Sequence, residues 1–262
     1  MSTKEERLRE RAYFSARLKE VLGLDGSPVA EAILREKPEG VPQWQGEPIW
    51  VCGAIEYARR GDVFYVAGEN ISCPGKAFIG IAEPPPQWIA ADYLVEGKKL
   101  YASRAAAARH IQEVWKNVPR AGGEYFAFAP LEKATFEPDA VIFIVKPLQA
   151  MRIMFLDAFE TGFHELAPYC EPFCSGVMAG TIAHGKIGLD MLCPGSRQQA
   201  RFKPEELGLG VPYDRMARIV RSIEGSQLGV AMPDNEAGSR LLGRRDKIER
   251  LVDLDAHLKN KG

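Results

Sequence analysis

No run of the sequence approaches the roughly 18 apolar residues that a membrane-spanning helix needs. The first stretch, MSTKEERLRERAYFSARLKEVLGL, carries no apolar core of a secretory signal. Basic and acidic residues nearly cancel, 34 against 35 for a net charge of −1, and neither sign is gathered into a block. That balance gives no reason to expect nucleic acid or an anionic membrane surface as a partner. The sequence also lacks Cys-x-x-Cys-His, a dinucleotide or P-loop glycine fingerprint, and any recognisable Ser-His-Asp spacing, so covalent haem, phosphate cradling and hydrolase chemistry find no support. What is left is a 262-residue chain, 46% hydrophobic and 26% charged, long enough for one substantial core and expected in the cytoplasm.

Hydrophobic periodicity predicts a helix over residues 4–22, stopped at Gly23, and an extended segment over 29–34, although a short helix would fit those residues as well. A helix follows to Gly61, with Val51, Ala54, Ile55 and Ala58 on its apolar face, and then a strand over 63–67. Ser103 is placed to cap a helix over 103–117, and EYFAFAPL and DAVIFIVKP read as strands, the second buried on both faces. LQAMRIMFLDAFETG is helical in pattern and stops at Gly162. After it come a small-residue helix from Cys174 towards Gly185, an extended KIGLDML, an amphipathic helix over 213–224 and a charged terminal helix. The order repeats: strand (29–34), Cys52 and helix, strand (63–67), Cys73-Pro-Gly, helix; then strand (140–145), Cys174 and helix, strand (187–192), Cys193-Pro-Gly, helix. The expected architecture is α/β or α+β, with two tandem halves (27–120 and 121–224) about a pseudo-two-fold axis. Peripheral segments, 1–26 and 225–262, flank them.

Twenty residues separate Cys52 from Cys73 and eighteen separate Cys174 from Cys193. In a cytoplasmic chain an odd total of five cysteines argues for free, metal-bound or catalytic thiols over a disulfide framework. Related halves would bring four thiols to one junction, and thiolates suit iron–sulfur clusters and zinc. Proline after a ligating cysteine fixes φ, and the glycine beyond it permits a tight turn whose amides can point at sulfur. The leading expectation is therefore an iron–sulfur cluster, [4Fe–4S] in the form four thiolates would hold, on Cys52, Cys73, Cys174 and Cys193, serving electron transfer or redox chemistry. Zinc, or no metal, is the alternative. A small-molecule-binding or interaction module with reduced structural cysteines is the second reading. A metal-free thiol-redox enzyme, using Cys52 or Cys174 with a pKa lowered at a helix start, is the third. Arg197 is a candidate for an anion or for offsetting thiolate charge, Glu160 for a general acid or base, and His184 for a reserve ligand. A small molecule or a redox partner is expected, and a homo-oligomer is compatible with the sequence.

The stretches VCGAIEYARRGDVFYVAGENISCPG, FEPDAVIFIVKPLQAMRI, FETG and FCSGVMAGTIAHGKIGLDMLCPGSR resemble the uncharacterised DUF169 family over roughly residues 27–224. The resemblance implies one coherent domain with cysteines at Cys52, Cys73, Cys174 and Cys193 and an arginine at Arg197. Cys170, and Lys76 where glycine is frequent, depart from the pattern. The family's distribution in anaerobes fits an oxygen-sensitive cluster, and it has no settled biochemical role to carry over.

Overall fold

The computed structural model describes residues 3–119 and 122–229. Helix α1 (Lys4–Leu22) opens on a reciprocal cap: Thr3 Oγ1 accepts the Glu6 amide at 3.2 Å, and Glu6 accepts the Thr3 amide at 2.6 Å. It closes on Gly23 at φ 63°, a left-handed position that glycine takes without strain. The chain continues through β1 (Val29–Leu34), α2 (Val51–Arg60), β2 (Phe64–Val66), α3 (Gly75–Phe78), α4 (Pro86–Ile89) and α5 (Arg104–Lys116) to β3 (Tyr125–Pro130). Then come β4 (Ala140–Val145), α6 (Pro147–Ala158), α7 (Gly180–His184), β5 (Gly188–Asp190), α8 (Pro194–Gln199), β6 (Leu207–Pro212) and α9 (Met216–Gly225). Two further segments, Tyr93–Gly97 and Cys174–Ala179, are π-helical. The charged helix expected in 225–262 lies outside the described residues.

The six strands form one antiparallel sheet in the order β2-β3-β1-β4-β6-β5, within a mixed α/β architecture. From the centre outwards the order is first, third, second on one side, and the same on the other. Pleating sends alternate residues to opposite faces. Val29, Phe126, Phe128, Ile142 and Ile144 meet α2, α5 and the cysteine-bearing turns. Ala30, Ala32, Ala127, Ala129, Val141 and Phe143 meet α1, α6 and α9. Both faces are covered, which is why AVIFIV is apolar without alternation, an arrangement more usual in parallel sheets.

Helix α1, expected at the periphery, belongs to the second of these layers: Phe14, Leu18, Val21 and Leu22 are buried. Its Arg11 is 2% exposed and reaches across the β3–β4 connection. There it donates to Ala134 O and Phe136 O at 2.8 Å, to Tyr213 Oη at 3.0 Å and to Glu137 at 2.5 Å. The other end of α1 is capped from α6, where Gln149 donates to Leu22 O and Gly23 O at 3.0 Å and Arg152 to Val21 O at 2.8 Å. Tyr213–Arg215 is a 3-10 turn leading into α9, so the helix expected from 213 begins at Met216. No helix of the described residues is long and apolar enough to cross a membrane.

Candidate functional site: a ring-lined cavity with four thiols

The two Cys-Pro-Gly turns start helices. Cys73 follows a short bridge between Ile49 and Ile71, and its carbonyl accepts the Lys76 amide as α3 begins. Cys193 is the N-cap of α8, Pro194 occupies the first helical position, and the Cys193 carbonyl accepts from Ser196 Oγ at 2.8 Å and the Arg197 amide at 3.1 Å. Leu192 before it stands at φ +65°, held there by Asp190, whose Oδ1 accepts the Leu192 amide at 2.5 Å. A buried leucine in the left-handed region is costly, and its neighbours over-determine it.

The glycine of each motif stands where a side chain would crowd its neighbours. A Cβ at Gly75 would lie 3.1 Å from Cys73 Sγ and 3.2 Å from Cys174 Sγ, and one at Gly195 would lie 3.0 Å from the Trp50 ring. Cys52 sits in the first turn of α2, and Cys174 opens the second π-helical segment. All four cysteines line one cavity of about 250 Å³, together with aromatic residues that include Trp50, Phe78, Trp88, Tyr93, Tyr101 and Phe173. The roof comes from residues 84–110. Pro85 and Pro86 start α4 there, so EPPPQW is a helix start rather than a free polyproline segment. Ala91 at φ +64° and Lys99 at φ +53° flank the first π-helical turn, which brings Tyr93 and Leu94 over the cavity. His110 lines the cavity and stacks on Tyr101, centroids 5.0 Å apart.

Convergence is not coordination. Among the described residues no three His, Cys, Asp or Glu side chains are placed to hold a metal ion, and this overturns the Cys-ligated iron–sulfur expectation. Two of the sulfurs have local partners instead: Cys73 Sγ accepts the Val51 amide at 3.5 Å, and Cys193 Sγ faces Ser196 Oγ at 3.7 Å. The thiol-redox expectation of lowered pKa values at Cys52 and Cys174 is corrected as well. Burial, with the neighbouring thiols adding to it, pushes Cys52 up to about 12 and Cys174 well above the ordinary thiol value. Burial also raises Cys73. Desolvation outweighs any helix-start effect here. All five cysteines are free.

Arg197, Glu160 and His184 are not among the residues lining this cavity. Arg197 donates to Met191 O at 2.7 Å, Glu206 O at 3.0 Å and Lys203 O, which ties the β5–β6 connection around α8. Glu160 pairs with Arg221 through contacts of 2.8 and 3.0 Å on an exposed surface, and that guanidinium holds its carboxyl below the usual range. His184 Nε2 lies 2.9 Å from Asn117 Oδ1. The roof residues were missed by the sequence reading. Their signal was aromatic density in a long segment between Cys73 and β3 that has no counterpart of like length between Cys193 and β6.

A second cleft, of about 560 Å³, opens beside Lys19, Arg59, Arg60 and Arg201. Its most buried cation, Arg59, is already paired with Glu56 at 3.3 Å and Glu206 at 3.2 Å. The cleft is larger but charged and internally compensated, so the thiol cavity is the better candidate for a ligand.

Among proteins of known sequence, the chain is similar to "Uncharacterized protein MJ0308" of Methanocaldococcus jannaschii, 27% identical over 217 residues that cover 79% of this chain and 91% of that protein. No solved structure matches. A family model matches residues 17–222, and the chain belongs to the family described as "Uncharacterised ArCR", DUF169.

Proposed function

We propose that this chain binds a small, largely apolar molecule in the ring-lined cavity, with the four thiols reduced as part of its wall. The observation that carries the reading is the convergence of Cys52, Cys73, Cys174 and Cys193, remote in sequence, on one half-open, largely apolar cavity. Two π-helical turns border that same space, and such turns concentrate at functional sites. A neutral thiol is a weak donor and a polarisable, nearly apolar surface that packs well against rings.

We also read the chain as two related halves about a pseudo-two-fold axis, divided between β3 and β4 instead of at residue 120, the first supplying Cys52 and Cys73 and the second Cys174 and Cys193. Support comes from the mirrored strand order and from register. Val29 pairs with Ile142 and Glu31 with Ala140, which centres the sheet on the Ala30–Val141 pair. Both third strands end in proline followed by a 3-10 turn, Pro130 before Leu131–Lys133 and Pro212 before Tyr213–Arg215. In this reading the thiol wall belongs to the repeated core, and the roof is an elaboration of the first half.

Native mass spectrometry of the chain after incubation with a small-molecule extract tests the binding reading. The expected result is a retained non-covalent mass that is lost when Cys193→Phe fills the cavity, with circular dichroism and melting midpoint unchanged. Retention by Cys193→Phe equal to that of the unsubstituted chain would place binding elsewhere and sink the reading.

A further inference from the structure

The mouth of the cavity differs from its walls. The thiols and most of the rings leave no buried charge to meet a charged group, so any ionised part of a ligand has to lie at the rim. Apart from the thiols and the two tyrosines, three titratable side chains line the cavity: Lys98, Glu171 and His110. Burial pushes the His110 pKa down, only partly offset by Glu171, so the imidazole is neutral at neutral pH. Glu171 accepts the Tyr169 hydroxyl at 3.3 Å. Lys98 Nζ stands 5.7 Å from the centroid of the Tyr93 ring, and among the described residues no carboxylate pairs with it. The cation therefore rests on an aromatic face at the entrance without an ionic partner.

The backbone around Lys98 is constrained. Its amide donates to Tyr93 O at 2.8 Å and closes the π-helical turn, and the next residue, Lys99, is left-handed at φ +53°. Asp92, before the same turn, and Glu96, on it, pair with Arg104 at 2.7 and 3.1 Å. For the space behind it, an apolar cavity of about 150 Å³ accepts benzene. The volume here is about 250 Å³, which leaves room for two fused rings.

We propose that the ligand is a planar aromatic acid, its rings between the aromatic walls and the thiols and its carboxylate at Lys98. This deepens the binding reading above and rests on it. The roof segment, which only the first half carries, then selects the ligand, and the thiol wall supplies shape and polarisability.

Isothermal titration of the full chain with 2-naphthoate, its neutral isostere 2-naphthamide and the cation 2-naphthylmethylamine tests this. The acid is expected to bind about tenfold more tightly than the amide, the scale of one charge-assisted contact. In Lys98→Gln that preference disappears, and acid and amide bind with equal affinity. Equal affinity for acid and amide, or a preference that survives Lys98→Gln, overturns the assignment to Lys98 and leaves the cavity reading standing. Tighter binding of the amine overturns it in favour of Glu171. If none of the three binds and none slows alkylation of Cys193, the aromatic-acid assignment and the cavity reading both fall.

Discussion

Cys193 is half-exposed, and the other four cysteines are buried. Thiol alkylation requires both access and the thiolate. With iodoacetamide at pH 7, peptide mass spectrometry should find Cys193 modified first and the other four slower by at least about tenfold, the difference vanishing in denaturant. Cys52 should also keep gaining rate above pH 9, where an ordinary thiol levels off, because its pKa stands near 12. Labelling of Cys52 as fast as Cys193 at pH 7 would mean that the desolvation argument is wrong. Cys52, Cys73, Cys174 and Cys193 were marked out in the sequence, since two Cys-Pro-Gly copies at matched distances behind another cysteine single them out. Their chemistry was not. Whether a thiol at a helix start is activated or suppressed depends on what covers it, and the cover over Cys174 comes from segments far away in the chain. For the same reason Arg197 looked like a free anion contact, whereas three backbone carbonyls occupy its donors.

At the scale of elements, local signals located α1, the helix from Ser103 and both central strands, because caps and apolar periodicity are written within a few residues. They could not reveal what α1 packs against. Arg11 is invisible as a structural residue in the charged run KEERLRER, yet it is among the most buried polar side chains and joins α1 to the β3–β4 connection and to Tyr213. Removing it leaves the Ala134 and Phe136 carbonyls without their donor. Arg11→Ala should cost about 3–5 kcal/mol in chemical denaturation, the range for breaking a buried, hydrogen-bonded charge. Arg9→Ala, two residues away, loses only an exposed pair at 2.6 Å to Glu5 and should cost under about 1 kcal/mol. A similar loss for both would show that the connection is held by other contacts. The π-helical turns were beyond reach at this scale: Cys174–Ala179 reads as an ordinary small-residue helix, and only the bonding pattern distinguishes it.

Across the whole molecule, the centre of the sheet carries a carboxyl that its surroundings do not satisfy. Glu31 lies between Phe128 and Ala140 on neighbouring strands, and among the described residues neither of its carboxyl oxygens has a hydrogen-bond partner. Burial, and then the charge of Asp139, raises its pKa well above the ordinary value, and burial also raises Asp139 and takes Asp190 to about 7. The folded chain thus holds protons that the unfolded chain has released. Stability from these groups is complete below the unfolded values near pH 4 and is lost as pH rises through the folded ones, across pH 4–7 for Asp190. Glu132 opposes this: burial would raise it, but hydrogen bonds from Lys19, Ser27 and Ser15 bring it down, so its contribution fades only in acid. Urea denaturation should therefore give a lower unfolding free energy at pH 8 than at pH 5. Glu31→Gln should flatten that slope, and Glu31→Met should add about 1–3 kcal/mol at pH 8 by removing an unsatisfied buried polar group. If Glu31→Met is destabilising at both pH values, the carboxyl has a partner in solution, and this position beside the centre of the sheet is polar because something there uses it.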